Sequence, residues 1–381
     1  YEENRTTTVA RRVYLMAHCP TIGKGGRWID ADVAEPLIAF TSGTTATNWR
    51  LAGSSTTALL VAGRFVRRSS YGETQTLSQA DIPALTLTMT DTDEVLAIEL
   101  AKTAPAITTA LLQPGTELTL SHGYDGTTVD VATFELETYE ITPTGRRITA
   151  LGTGSALSRH RVRQGRVFNV ATMTVLQLMN RVLARAGCPG AVMSGAGSTA
   201  MTTAQPAFAL RPGEYSSAAF ARLRAIVPEL RRTIAGVTYL VNPTSADAAA
   251  YELGTAHELL DSRHGTRRPT TSRAAIASQA GADESFSASY SHLVADELID
   301  ERAASTSALL TAVADRFIRW GDMSAVTGKA TIHPTPALEI ADVITITDTR
   351  LGVTGPRRIR AIEIKREAPD VWTETLELSD V

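Results

Sequence analysis

PALEIADVITITDTRLG (residues 336–352) and PGTELTLSHGYDG (residues 114–126) carry one shape twice. Each starts at a proline, meets an acidic residue beside an aliphatic one, alternates polar with apolar positions, and closes at glycine. A period of two puts the apolar side chains on one face of a strand. Leu118, Leu120, Val343 and Ile346 are accordingly assigned to strands or barrel cores. Both runs are followed by an arginine-rich element and a further alternating strand, TGRRITALG from Thr144 and TGPRRIRAIEI from Thr354. The chain reads as two copies of one β-domain plan.

Outward from the first copy, residues 1–165 are mainly β. VARRVYLMA from Val9 is a candidate first strand, and ALLVAGRFV (Ala58–Val66) a strong one, with Gly63 read as a bulge. In ALTLTMT, Leu85, Leu87 and Met89 share one face and Thr86, Thr88 and Thr90 the other. Asp93–Leu100 is mixed and reads as a helical turn. VATFELETYEITPTG and RRITALG follow as strands, with turn signals at Gly123–Gly126 and Pro143–Gly145. Strands joined by short turns predict an antiparallel barrel or sandwich. Residues 21–57 are rich in Gly, Thr and Ser and read as a loop-rich arm that contacts a neighbour.

Residues 166–260 switch to the helical period. In ATMTVLQLMNRVLARAGCPG, Thr172 or Thr174 caps a helix whose stripe is Val175, Met179, Val182 and Ala186, and Gly187 and Pro189 stop it. A second helix starts at Ser216 with Phe220, Leu223 and Val227 inward, and IAGVTYLVNP is a strand. From residue 261, DSRHGTRRPTTSR reads as a basic linker and AAIASQAG and ESFSASYSHL as extended pieces. A helix at 306–320 repeats Leu310, Val313, Phe317 and Trp320, with Gly321 as its stop. The last strand, VWTETLELSDV, reads as bulged near Thr373. The predicted fold class is α+β, mainly β: two similar split β-barrel (tube-type) domains, at 1–165 and 261–381, flanking a small α/β domain at 166–260.

The 381 residues suffice for two or three domains, and 43% hydrophobic with 20% charged residues is the balance of a soluble globular chain. A net charge of -3 argues against a general nucleic-acid coat, yet suits a passage whose wall must not hold DNA. Cys19 and Cys188 show neither CxxC nor metal-ligand spacing; two idle thiols are expected, a single disulfide being the alternative. No apolar stretch reaches the roughly 18 residues of a membrane span, and no signal-peptide pattern is present at Tyr1.

Chemistry-bearing motifs are few. GKGG (23–26) lacks the spacing of a phosphate loop, and GTGSALS (152–158) lacks the GxSxG elbow, with no acid–base partners identified for Ser155. Seven scattered histidines form no metal pair, and His122, beside a glycine turn, reads as structural. No cofactor or metal is expected. In VADELIDER, read as helical, Asp296 and Asp300 share one face and Glu297 and Glu301 another; a solvated face outweighs acid–base catalysis. RHRVRQGR places Arg159, Arg161, Arg163 and Arg166 at alternating spacing without interleaved aromatics. That favours a salt-bridge surface between subunits over DNA contact.

The order of elements resembles the phage tail hub proteins: baseplate and tail-tip hubs, the late-control-D proteins, and the base of contractile injection spikes. The resemblance runs from about residue 84 to 381. It rests on PG-x-E-L-x-L, the helix TVLQLMNRVLARAG, and the helix ending at Trp320 followed by Pro336–Asp348. It implies a non-enzymatic homotrimer whose paired barrels form a pseudo-sixfold ring at the distal end of a virion tail, assembled in the host cytoplasm. The ring would dock on the tail tube above and on a spike or fibre below, and would pass DNA during genome ejection without binding it by sequence. In that setting Asp296 and Asp300 line the lumen, and Arg159, Arg161 and Arg163 face a neighbouring subunit. No fibre or lysozyme segment follows the last strand before Val381, so the spike is expected as a separate chain. Contractile and non-contractile tails, and viruses and tail-like injection particles, stay equally open. The rival readings are a cell-wall hydrolase, opposed by few aromatics (6%) and no paired-carboxylate motif, and a host-surface-binding module.

Overall fold

The computed structural model describes residues 60–66, 74–104, 109–123, 129–169, 172–234, 237–254, 259–278, 281–290, 292–293, 295–300, 306–335, 338–368 and 371–381. The strand expected from Val9, the arm at 21–57, Cys19 and Pro336 lie outside these residues.

The first part of the chain is β1 (Leu60–Val66), β2 (Thr74–Leu77), β3 (Ala84–Thr90), β4 (Glu94–Ala101), β5 (Glu117–Gly123), β6 (Val129–Thr142) and β7 (Gly145–Gly152). Short elements follow: α1 (Ala156–Arg159), β8 (Arg166–Phe168), α2 (Val175–Arg185), β9 (Val192–Ser194), α3 (Thr199–Thr202), β10 (Phe208–Leu210), α4 (Ser216–Arg224), β11 (Leu230–Ile234) and β12 (Val237–Val241). The remainder is β13 (Tyr251–Leu253), β14 (Asp261–Thr266), β15 (Arg273–Ser278), β16 (Gly281–Phe286), β17 (Asp296–Asp300), α5 (Ser307–Ala325), β18 (Val326–Ile332), β19 (Val343–Asp348), β20 (Val353–Ala368) and β21 (Val371–Ser379).

One sheet dominates. Thirteen described strands run β14-β18-β21-β20-β3-β4-β7-β6-β5-β1-β2, with β19 beside β20 and β13 beside β19. Strands from the two ends of the chain thus share a single open sheet, in place of the two separate split barrels expected. The seam is the antiparallel pair β3–β20, where Leu87 faces Ile364 and Met89 faces Ile362. A continuous apolar core follows from this, from Phe65 and Leu87 through Phe134 to Ile346 and Leu376, all fully buried.

The doubling seen in the sequence is real, but its alignment differs. Strands β4, β5, β6 and β7 lie in spatial order β4-β7-β6-β5, and β18, β19, β20 and β21 lie in order β18-β21-β20-β19. All neighbours are antiparallel, so each set is a Greek key with the same order of connections. The register fixes the correspondence residue by residue. In the first key Gly115 donates its amide to the Leu136 carbonyl, and the Leu136 amide donates to Thr116. In the second, Ala341 donates to Ile359, and Ile359 to Asp342. Just after these residues the third strand bulges in both keys, between Leu136 and Thr138 and between Ile359 and Ala361. Pro114–Gly115 therefore matches Ile340–Ala341, not Pro336. TGPRRIRAIEI lies in β20, the counterpart of β6, whereas TGRRITALG is β7, the fourth strand; the two arginine-rich elements are not equivalent.

Several other expectations are corrected. Asp93–Leu100 is no helical turn: β4 buries Leu96, Ile98 and Leu100 in strict alternation. Gly63 makes no bulge, because β1 keeps unbroken register with β5 from Leu60 to Val66. The supposed linker from Asp261 opens with β14, paired along its length with β18. Gly321 lies inside α5, where a Cβ would stand 2.0 Å from the Thr271 carbonyl oxygen; it serves close approach, not termination. At the last hairpin the irregularity lies on β20, between Arg366 and Ala368, opposite Trp372 and Val371.

The helices expected in the middle of the chain are present. Thr174 caps α2 through a reciprocal box with Gln177, and Gly187 ends it at φ 76°. Val175, Met179 and Val182 are buried, as are Phe220, Leu223 and Val227 around α4. A second core joins these helices to α5 and β15 through Leu178, Phe220, Ile276, Leu309 and Val313. β11, next to β12, adds a strand that the sequence reading did not mark.

Candidate assembly surfaces

Leu118 and Leu120 on β5, and Val343 and Ile346 on β19, are all buried, at 0%, 2%, 2% and 0% exposure. All four lie on the strand that flanks the bulged third strand; through the shared register Leu120 matches Ile346, whereas Leu118 matches Ile344 and Val343 matches Glu117.

The basic run does not form a strand. Ala156–Arg159 is helical, Arg161 makes an isolated bridge to Tyr215, and Arg163 is an exposed bend residue. The arginines consequently point different ways. Arg159 is ion-paired to Glu135 and lies 3.6 Å from Glu137. Arg161 lies 4.2 Å over the Tyr215 ring and donates to the Gly213 carbonyl at 3.3 Å. The acidic run is a strand too: β17 pairs in parallel with β15, so Asp296 faces Arg273 and Asp300 faces Ala277. Asp296 is exposed, 3.8 Å from the Arg273 guanidinium. Strand geometry still leaves positions 296 and 300 on one face, by a period of two and not of four.

Buried charge marks the places where the units join. On β20, Arg358 is fully buried; it donates to the Ala341 carbonyl at 2.8 Å, the Thr244 carbonyl at 2.9 Å and the Asp247 carboxylate at 2.8 Å. Its counterpart on β6 is Glu135, which meets Arg159. Equivalent positions hold opposite charges, each matched from outside the key. Arg232 on β11 lies 3.2 Å from Glu339 and 3.5 Å from Asp342, tying the middle of the chain to the second key. Arg224 on α4 reaches Asp91, in the β3–β4 turn, at 2.9 Å.

Beneath the seam is a cavity of about 30 Å³ lined by Glu94, His122, Arg232, Glu339 and Glu374, among others. Burial drives the Glu374 carboxyl up to about 8, against one opposing hydrogen bond from the Thr335 amide. Burial also raises Glu94, to about 7, although Arg231 pulls it down. The same desolvation lowers His122 to about 4, so its imidazole is neutral at neutral pH. A void of this size holds about one water and no sugar ring. Glu374 stands at this packed seam, whereas Glu94 also borders a second, larger cavity of about 360 Å³ with Asp93, Glu137, Ser155, Arg159 and Arg231. Ser155, in the GTGS stretch, ends a turn and accepts from Arg159 at 3.0 Å, with no histidine base placed on it.

Apart from His122, the sequence reading missed these seam groups, and it missed the strand edges left unpaired among the described strands. β14 ends the sheet path, and past Leu136 the β5-side edge of β6 meets no described strand. The one visible signal was ETYEIT, whose Tyr139 and Ile141 alternate like core residues; Ile141 is nonetheless 79% exposed.

The described fold is that of phage tail proteins. No family model matches the chain, and no curated protein matches it. Among solved structures it is similar to a tail protein from Neisseria meningitidis, at 12% identity and TM-score 0.62, over 85% of this chain and 96% of that one. It is also similar to the 43 kDa tail protein of prophage MuSo2 from Shewanella oneidensis, at 13% identity and TM-score 0.59, over 85% and 98%. A third is an E. coli component of the type VI secretion system, itself described as similar to phage T4 tail proteins, at 11% identity and TM-score 0.51, over 79% and 74%. Among the described residues no helix is long and apolar enough to cross a membrane.

Proposed function

We propose that this chain is the structural hub of a phage tail tip or tail-like injection particle: a homotrimer whose two Greek keys per subunit make a pseudo-sixfold ring. The observation that carries the reading is the duplicated key, matched down to its bulge, within a fold shared with tail proteins. Two similar units per chain let three chains meet a sixfold tube on one side and a threefold spike on the other. A neighbour that is a component of the type VI secretion system fits a tail-like injection particle as well as a phage tail. In this reading the division into a first β unit, a middle α/β unit and a second β unit stands, with the two β units joined across β3–β20. Asp296 and Asp300 face the channel, where carboxylates repel passing DNA, and exposed Arg163 faces a neighbouring subunit. The chain works by shape and pairing, without catalysis.

Solution mass and negative-stain averages test this. A trimer with a central hole and six lobes is the expected particle. A monomer at every concentration, or sustained turnover of cell-wall glycan by the purified chain, would overturn it.

A further inference from the structure

We infer that β14 of one subunit pairs antiparallel with the second half of β6 of the next subunit, with His264 opposite Ile141 and Gly265 opposite Glu140. The inference rests on the ring reading above and specifies its joint.

The argument is one of equivalence. Within the chain, the second key binds the first through the outer edge of β20. There β19 occupies the edge at 353–358, and β3 takes over at Ala361–Arg366. β3 itself hangs on the first strand of the other key, β4. Each part of this joint has a counterpart. β6 is the match of β20: β5 takes its edge up to Glu135, Gly115 and Thr116 hold Leu136, and from Glu137 to Thr142 no described strand follows. β14 is the match of β3, since it hangs on β18 as β3 hangs on β4, with its other edge unpaired among the described strands. One copy of the joint is made internally; of a second copy, β14 stands at one end of the sheet and the second half of β6 is left uncovered where β5 stops.

The register can be transferred. Through the shared bulge, Ile141 corresponds to Ile364 and Glu140 to Glu363. Through β4 and β18, Leu87 corresponds to His264 and Thr88 to Gly265. The internal pairs Ile364–Leu87 and Glu363–Thr88 thus project onto Ile141–His264 and Glu140–Gly265. Exposure agrees: Ile364 is 5% exposed inside its joint, whereas Ile141 is 79% exposed. Charge agrees too. Glu140 would have Arg263 and Arg267 as same-face diagonal neighbours, and all three side chains are exposed. A head-to-tail joint of this kind repeats until the ring closes, and it covers two unpaired edges that would otherwise recruit strands at random.

Two double variants test the register, Ile141→Cys with His264→Cys and Glu140→Cys with Gly265→Cys. In an antiparallel ladder, adjacent pairs alternate between wide and narrow, so one of the two registers suits a disulfide. All four positions lie on strand edges, and the controls are the native chain and each single variant under the same mild oxidation. The expected result is a non-reducing ladder that stops at three chains, from a double variant and from no control. If light scattering finds a trimer but neither double variant forms the ladder, the strand pairing is wrong and the ring reading survives. Monomers with no cross-link would overturn both.

Discussion

Gly115 and Ala341 occupy the same place in the two Greek keys: each turns to positive φ, 88° and 74°, and each donates its amide to the bulged third strand, at 2.8 and 2.9 Å. The first copy uses the residue that adopts this conformation without strain. The second does not, and Ala341 is the non-glycine at positive φ among the described residues.

Exchanging the two residues should therefore give opposite signs. Ala341→Gly is expected to leave stability unchanged or raise it by up to about 1 kcal/mol, and Gly115→Ala to lower it by about 1–2 kcal/mol. Urea midpoints at constant slope measure both.

Gly321→Ala should destabilise the protein, although alanine is the better helix former by about 1 kcal/mol. A methyl there meets the Thr271 carbonyl oxygen at 2.0 Å, so α5 must move away from the loop before β15. A lower melting temperature is the expected outcome; a higher one would show that the approach is not close.

Removing Arg358 should be costly. Arg358→Ala takes the guanidinium away from the Asp247 carboxylate and from the Ala341 and Thr244 carbonyls, and a loss of about 3–5 kcal/mol is expected. The double variant Arg358→Met with Asp247→Ala should recover most of it, as denaturant titration would reveal.

Stability should fall as pH rises from about 4.5 to about 8, because of Glu374. Its folded value, about 8, lies above its ordinary one, so the folded state holds the extra proton. That contribution is complete below about 4.5 and is lost as pH rises through about 8. Glu94, raised to about 7, acts in the same direction, whereas His122, lowered to about 4, costs stability only as pH falls below its ordinary value. Glu374→Gln should match the native chain near pH 4 and exceed it by a few kcal/mol near pH 9. Equal melting curves across the range would contradict this.

Much of the fold was legible where one face is buried and the other wet. ALTLTMT, TELTLSHG and RRITALG alternate cleanly, and α2 carries its cap and its stop in sequence. β4 was obscured because half-buried Glu94 opens it with an acid on the same face as Leu96, Ile98 and Leu100. β14 was obscured because DSRHGT is a hydrophilic edge strand with one buried position, Ser262, and periodicity needs a buried face to be visible. Gly321 has the look of a helix stop, since sequence cannot tell a glycine that ends a helix from one that admits a neighbour. The assembly surface was least legible of all, because an edge is defined by the strand that is missing beside it.

The β3–β20 seam also sets a timetable for synthesis. Thr88 and Glu363 are neighbours in the sheet, yet about 275 residues separate them, which at usual elongation rates is on the order of 14–55 s on the ribosome. Throughout that interval the nascent chain presents the Leu85–Leu87–Met89 strand with one side bare. Its threonine-rich opposite face keeps the strand wettable while it waits for nearly the last residues to emerge. Truncation just before β20 should consequently yield a chain that aggregates, rather than a smaller folded unit.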